Sequence, residues 1–467
     1  MIFDATINPD FSQIESDVAQ ISANQRFALF FPERRPFFLE SIDLFSTPLQ
    51  AIYTRTFNQP LWGARSTGQL GDNQWTLLVG QDEGEGGVII PGVLSSSIAF
   101  QDFESNVAIG RWRRDFGGSF ASVLYSGREV DGGGNNHVFG PDFRWQPTDG
   151  DTVTGQLLYS RSETPNRPSL AAEWDGRELE GLAGQLWWNR TTGTWDFYTF
   201  GQHVDDEFRA DNGFMPQVGF TEVLSDVGRT FRPEGKFYSR LRLFNIAHYK
   251  EDEDGNKLEL GVIPGFGMDA KLNSYWRMEF AYHEIKAIEQ VHERWQLRPQ
   301  IEIRPGRLFS YFSLSGRVGQ EIDYDNDRRG HGINLAARLD LRPTDHLLVT
   351  LNASQAYLDV RADEGREGRL FTQDILRLRG NYTFNARSWL RLVTQWVHTE
   401  RDPLLYTFEV APESEGLASS AVFAYKLNWQ TVLFVGWADN RQLLAATDSL
   451  EPADQSLFLK ISYAFQG

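Results

Sequence analysis

The chain closes on Gln455-Ser456-Leu457-Phe458-Leu459-Lys460-Ile461-Ser462-Tyr463-Ala464-Phe465. Leu457, Leu459, Ile461, Tyr463 and Phe465 fall on one face of an extended chain. Ser456, Lys460, Ser462 and Ala464 fall on the other, and Phe458 alone is out of step. Side chains of a strand alternate between its two faces, so this segment offers one face to hydrocarbon and one to water. An alternating, aromatic-ended strand at the C-terminus is the pattern of an outer-membrane β-barrel, apolar outward and polar inward.

Working back from that strand, one unit repeats from about residue 49: alternating strand, tight turn, alternating strand, longer polar connection. The tight turns sit at Leu70-Gly71-Asp72-Asn73, Phe116-Gly117-Gly118, Pro147-Thr148-Asp149-Gly150, Thr191-Thr192-Gly193 and Pro233-Glu234-Gly235. They continue at Asp269-Ala270-Lys271, Pro305-Gly306, Pro343-Thr344-Asp345, Asn385-Ala386-Arg387 and Trp429-Gln430. Glycine, proline, asparagine and aspartate close hairpins because they accept the backbone angles a tight reversal needs. The expected longer connections are Asp82 to Glu104, Glu129 to His137, Glu163 to Gly176, Glu251 to Asn256, Asp323 to Gly330, Ala362 to Gly368 and Arg401 to Gly416. Tight turns on one rim and long, acidic loops on the other correspond to the periplasmic and extracellular rims of such a barrel. The hairpins, the final strand and an opening strand (Leu49 to Phe57, or Met1 to Ile7) predict about 22 antiparallel strands, within about 20 to 24.

Several strands carry the alternation openly. Trp295, Leu297, Pro299, Ile301 and Ile303 oppose Arg294, Gln296, Arg298, Gln300, Glu302 and Arg304; Ile333, Leu335, Ala337, Leu339 and Leu341 oppose Asn334, Arg338, Asp340 and Arg342. A soluble sandwich or propeller also alternates. Against it stand strands of about 10 to 15 residues, where 5 or 6 is usual, the absence of a blade-length repeat, and a polar face dense in arginine.

Composition narrows the function. Cysteine is absent, which excludes disulfides, thiolate metal sites and a cysteine nucleophile. A net charge of −18 argues against nucleic acid as a partner. No run approaches the roughly 20 apolar residues of a membrane helix. Met1-Ile2-Phe3-Asp4 lacks the basic start and apolar stretch of a signal peptide, so Met1 reads as the edge of a fragment of an exported protein.

Residues 8 to 48 break the rhythm. Asn8-Pro9-Asp10-Phe11 reads as a turn, and Phe11 to Ile21 is polar without clean alternation. Phe30-Phe31-Pro32-Glu33-Arg34-Arg35-Pro36-Phe37-Phe38-Leu39-Glu40 is aromatic, charged and broken by two prolines. Prolines at 32 and 36 exclude a central strand and interrupt a helix. Irregular backbone cannot face lipid, where its polar groups would go unpaired. The expected division is therefore 1–48, an opening strand with a plug-like or inward-folded segment, and 49–467, the barrel. Phe30, Phe31, Pro32, Glu33, Arg34, Arg35, Pro36, Phe37, Phe38 and Glu40 are candidate plug or gate residues, or a static filler.

The run from Asn8-Pro9-Asp10-Phe11-Ser12-Gln13-Ile14-Glu15-Ser16-Asp17, through Phe30 to Glu40, to Tyr53-Thr54-Arg55 resembles a bacterial outer-membrane family. In that family a barrel of unknown function follows a domain similar to family 9 carbohydrate-binding modules. The resemblance is sharpest over residues 1 to 70, and the remainder agrees in barrel rhythm; it implies location and architecture, and it places sugar specificity mainly upstream.

Candidate chemistry centres on inward arginines: Arg294, Arg298, Arg304, Arg317, Arg338, Arg342, Arg377, Arg379 and Arg391, with Arg240 and Arg242. Fixed positive charge at a constriction favours anionic or sugar-like solutes. Alternatively these arginines pair with wall carboxylates such as Glu302 and Asp340, or with an acidic plug. Asp323-Tyr324-Asp325-Asn326-Asp327 spaces oxygens like a calcium loop, but Arg328 stands where that loop needs glycine, so no metal or cofactor is expected. Glu251-Asp252-Glu253-Asp254-Gly255 fails the same template, and such acidic loops read as solvated charge that could meet lipopolysaccharide-bound cations.

His203 with Asp205 and Asp206, and His283 with Glu284, are the histidine–carboxylate pairs a hydrolase would need, yet no G-x-S-x-G nucleophile is present. Trp389 and Trp396 suit an interfacial girdle better than a sugar platform. The expected function is a partly occluded pore or uptake protein for small or glycan-derived solutes, not an enzyme, with outer-membrane lipid and lipopolysaccharide as neighbours. The alternatives are a non-conducting barrel that anchors a soluble domain or partner, and an outer-membrane hydrolase.

Overall fold

The structure, a computed structural model, describes residues 1–11, 14–40, 42–234, 237–362, 365–444 and 449–463. Phe465 and Gly235, and Ser12 and Gln13 of the N-terminal run, lie outside those residues. The fold is the all-β, transmembrane antiparallel barrel class: one sheet of 22 strands, with a separate two-stranded sheet of Gly87–Ile90 and Ser97–Phe100. Among the described residues no helix is long and apolar enough to cross a membrane.

Contacts divide the described chain into two units. The first comprises Met1–Ile14, Gln25–Arg229 and Asn245–Val262. Its opening strand is Ile2–Ile7, paired antiparallel with Pro60–Leu70 in the register Ile7↔Trp62. Residues 49–57, the other candidate for the opening strand, hold a 3-10 turn at Thr54–Thr56 instead. From Pro60–Leu70 onward each wall strand pairs with the next, through Asn73–Asp82, Ser105–Phe116 and Ser119–Val130 to Phe220–Phe231. The second unit comprises Glu15–Asn24, Thr230–Phe244 and Ile263–Gly467. Its strands run the same way, from Ser274–Lys286 through Glu367–Asn385 and Ser388–Arg401 to Ser449–Tyr463.

The tight turns lie where glycine, proline and asparagine place them. Three connections expected to be long are tight turns as well, at 131–134, 253–256 and 324–327. There the polar residues continue the ladder, as in Glu129↔Asn135, because a strand that leaves hydrocarbon keeps its pairing with any side chain. The connection 205–219 is long and does not read as a surface loop, since its Phe208, Met215 and Val218 join a buried apolar cluster.

The final strand presents Leu457, Leu459 and Ile461 at 80%, 70% and 65% exposure. Phe458, which interrupts the alternation, lies opposite Gly436 of Thr431–Leu444. A Cβ built on Gly436 would stand 2.2 Å from the Phe458 ring, so the glycine vacates the space the ring fills. Trp75 lies in the same way over its partner Gly68. Gly436→Val is therefore expected to cost about 1–3 kcal/mol by overpacking. It would lower the temperature at which the folded band is lost in heat-modifiability electrophoresis. Phe458→Ala in the same chain relieves the clash, and an unchanged transition in Gly436→Val would refute this pairing.

In the first unit the outer face of the wall is apolar, and the inner face carries apolar side chains beside its polar ones. Leu77, Val123, Phe139, Leu157 and Leu182 are exposed, whereas their neighbours Leu78, Leu124, Val138, Leu158 and Ala183 are buried. The buried set packs on Phe38, Phe45, Leu49, Ile52 and Phe57 of the N-terminal segment. The exposed set is the face that meets hydrocarbon. Beside its tight turns that face carries the exposed Phe116, Trp145, Trp188 and Trp195; beside the tight turns of the second unit stand the exposed Phe231, Phe309, Phe384 and Trp429, as interfacial girdle aromatics do.

Candidate functional site: the N-terminal segment on the polar face

Residues 30–40 fold around their own charges. Glu33 Oε1 accepts from the backbone N–H groups of Arg34 (2.9 Å) and Arg35 (2.8 Å). The Arg35 guanidinium donates to Glu33 Oε1 (2.9 Å) and Oε2 (2.7 Å), and to the carbonyls of Phe57 (2.6 Å) and Thr54 (2.7 Å). Thr54 Oγ1 donates to Glu33 Oε2 at 2.7 Å. Burial pushes the Glu33 carboxyl up, but the bonds and charge of Arg35, with Thr54, outweigh it and hold the group below the usual carboxylate range. Arg35 also lies 4.2 Å over the Phe38 ring. Pro36 opens the short helix Pro36–Leu39, the position where a missing N–H costs nothing. Phe38 then stacks edge-on against Phe37 and Phe57.

Three buried wall arginines grip this segment. Arg65 donates to the Glu40 carbonyl (2.6 Å) and pairs with Asp4 (3.1 Å) and the Glu40 carboxylate (3.2 Å). Arg111, paired with Asp142, donates to the carbonyls of Leu44 (2.9 Å) and Ser46 (3.0 Å). Arg128, 0% exposed, donates to the Thr56 carbonyl (2.8 Å), Asn212 Oδ1 (2.9 Å), Gln101 Oε1 (2.9 Å) and Ser105 Oγ (3.2 Å), with Asp82 at 3.6 Å. A single guanidinium thus joins the segment, two loops and two strands. None of the three arginines was among those read from the sequence. The signal that could have found them is an arginine at the buried parity of a strand, as Arg111 stands two residues from Ile109.

In the second unit the segment's Glu15 collects three of the expected arginines: Arg377 at 2.9 Å, Arg379 at 3.2 Å and Arg391 at 3.7 Å. Arg377 is buried between the exposed Leu376 and Leu378, and it donates to the carbonyls of Ser16 (2.9 Å) and Asp17 (3.0 Å). Gln373 Oε1 takes the N–H groups of Ser22 (2.7 Å) and Ala23 (3.1 Å). Ile21 is buried against Leu358, Leu370, Phe371 and Ile375.

The remaining expected arginines do not converge on Glu15. Arg294 (2.7 Å) and Arg317 (2.8 Å) share Glu321, and Arg298 donates to Gln296. Arg304 pairs with Glu302, Arg338 with Asp340 and Arg240 with Asp269, while Arg242 lies over Phe244. Arg342 uses its backbone N–H on the Leu308 carbonyl.

Two carboxylates of the calcium-like loop are taken up by protein partners. Asp323 binds Asn326 and Arg328, and Asp327 accepts from Glu289, Gln290 and His292. His203 bridges Asp205 and Thr221, at 2.8 Å each, and the hydroxyl it meets is a threonine on the paired strand.

An exposed apolar face with an aromatic girdle, and a polar face whose arginines hold an inserted segment, define an integral outer-membrane β-barrel. Residues 1–63 match the model of a family described as a domain of unknown function (DUF5916). No curated protein matches the sequence.

Among solved structures the chain is similar to the siderophore receptor PirA from Acinetobacter baumannii (10% identity, TM-score 0.48, 77% of this chain and 71% of that one). It is also similar to the FrpB iron transporter from Neisseria meningitidis (10%, 0.44, 86% and 71%). A third is OccAB3 from Acinetobacter baumannii (12%, 0.35, 85% and 100%). What those proteins carry is a property of their own sites.

Proposed function

We propose that the protein is an occluded uptake barrel for a small polar solute, in which residues 8–59 hold the passage shut. The observation that carries this reading is the investment of wall arginines in the segment: Arg65, Arg111, Arg128 and Arg377 all donate to its backbone carbonyls. A mere filler needs shape; here the wall recognises the segment's backbone and its Glu15 carboxylate. Arg377, Arg379 and Arg391 act as a latch on Glu15, and arginines already paired within the wall leave little fixed charge to select anions. A docking barrel that conducts nothing is the competing reading.

Planar-bilayer recording separates the two. The wild-type protein is expected to show no steady current. Glu15→Gln, which removes the charge shared by the three arginines, is expected to produce discrete openings. Steady ohmic current in the wild type, or silence in Glu15→Gln, would overturn the proposal.

A further inference from the structure

The N-terminal segment encloses a cavity of its own. It has a volume of about 430 Å³, within the range of small-molecule sites, and is lined by Phe30, Asp43, Ser46, Gln50 and Tyr53, among others. Phe30 is 42% exposed. Its ring is steadied by Tyr53 and Phe214 at centroid distances of 5.1 and 5.2 Å, and those two rings also meet edge-on at 5.3 Å. The Tyr53 hydroxyl donates to the Phe31 carbonyl at 2.7 Å and accepts from the Phe31 N–H at 3.2 Å, so the aromatic platform is fixed to the backbone. Glu33, the other carboxylate of the lining, is neutralised by Arg35. Among the described residues, the side chains of Asp43, Ser46 and Gln50 take no protein partner.

We infer that this cavity is a binding site for a neutral polyhydroxylated solute, a mono- or disaccharide, stacked on Phe30 and hydrogen-bonded by Asp43, Gln50 and Ser46. The chemistry selects it. An anion meets the uncompensated Asp43 carboxylate and no lining cation. An ammonium ion only donates, and would leave the Gln50 amide N–H groups unused. A sugar hydroxyl donates to Asp43 and accepts from Gln50, and the apolar face of a pyranose covers one aromatic ring. The inference rests on the uptake reading for its physiological sense, though binding is measurable without passage.

The test is saturation-transfer NMR on the full chain in detergent micelles, with glucose, N-acetylglucosamine and maltose as probes and tetramethylammonium and sulfate as competitors. Transfer to ring protons of at least one sugar is expected, unaffected by either competitor. Affinity is expected to fall about tenfold in Phe30→Ala and in Asp43→Asn, the scale of one lost contact of this kind. The side chains of Asp43 and Ser46 are exposed and bond nothing in the protein, so Asp43→Asn and Ser46→Val leave the fold intact should Phe30→Ala misfold. No transfer from any of the sugars overturns the inference. So does undiminished transfer in the Asp43→Asn and Ser46→Val chains, or displacement by tetramethylammonium. Sugar binding without openings in Glu15→Gln would leave the site standing and remove the uptake reading; openings without binding would do the reverse.

Discussion

Arg128→Met is expected to lower the stability of the folded protein by about 3–5 kcal/mol, the cost of removing one partner of a buried ion pair. The guanidinium has no water to fall back on, being 0% exposed, and neither has Asp82. Methionine fills much of the volume, so the loss is electrostatic: the Thr56 carbonyl, Gln101 Oε1 and Asn212 Oδ1 each lose a donor, and the Asp82 carboxylate loses its ion-pair partner. Urea unfolding in lipid vesicles, followed by tryptophan fluorescence, measures the change. A double-mutant cycle with Asp82→Asn sharpens it, because the second substitution costs less once the pair is already broken. A midpoint within experimental error of the wild type would show that the network is not what holds the segment to the wall.

The second large effect concerns conduction. Ile7 and Trp62 are direct cross-strand partners, and the Asn8 N–H donates to the Leu61 carbonyl at 2.8 Å. Replacing residues 8–61 by an Asn-Gly turn therefore converts the excision into an ordinary two-residue hairpin. The resulting barrel is expected to conduct in planar bilayers with large, steady steps where the wild type does not. Excision also uncovers Leu78, Ile109, Leu124, Val138 and Leu158. Each forfeits up to about 1.5–3 kcal/mol of burial, so folding is checked by heat-modifiability before recording. A correctly folded excised barrel that passes no current would sink the occluded-pore reading. The same result would favour a docking barrel.

The strand count, the tight turns of one rim and the apolar outer face were legible in the chain itself, whereas the turns at 131–134, 253–256 and 324–327 were not. The legible features depend on period-2 alternation and on turn residues, both local properties. Leu457, Leu459 and Ile461 are exposed because they alternate, whatever the rest of the chain does. The proline-broken segment was legible as an exception for the same local reason. Its partners were not, because Glu15 and Arg377 are separated by 362 residues, and no periodicity carries a contact across that distance.

Phe458 shows the same limit at close range. It reads as an error in the alternation until Gly436, on the neighbouring strand, supplies the space for its ring. Strand alternation by itself determined a membrane barrel with an irregular N-terminal insert. Only the tertiary structure decided that Arg65, Arg111 and Arg128, rather than the arginine-rich later strands alone, clasp that insert. A buried guanidinium takes its meaning from the carbonyls and carboxylates that folding brings to it.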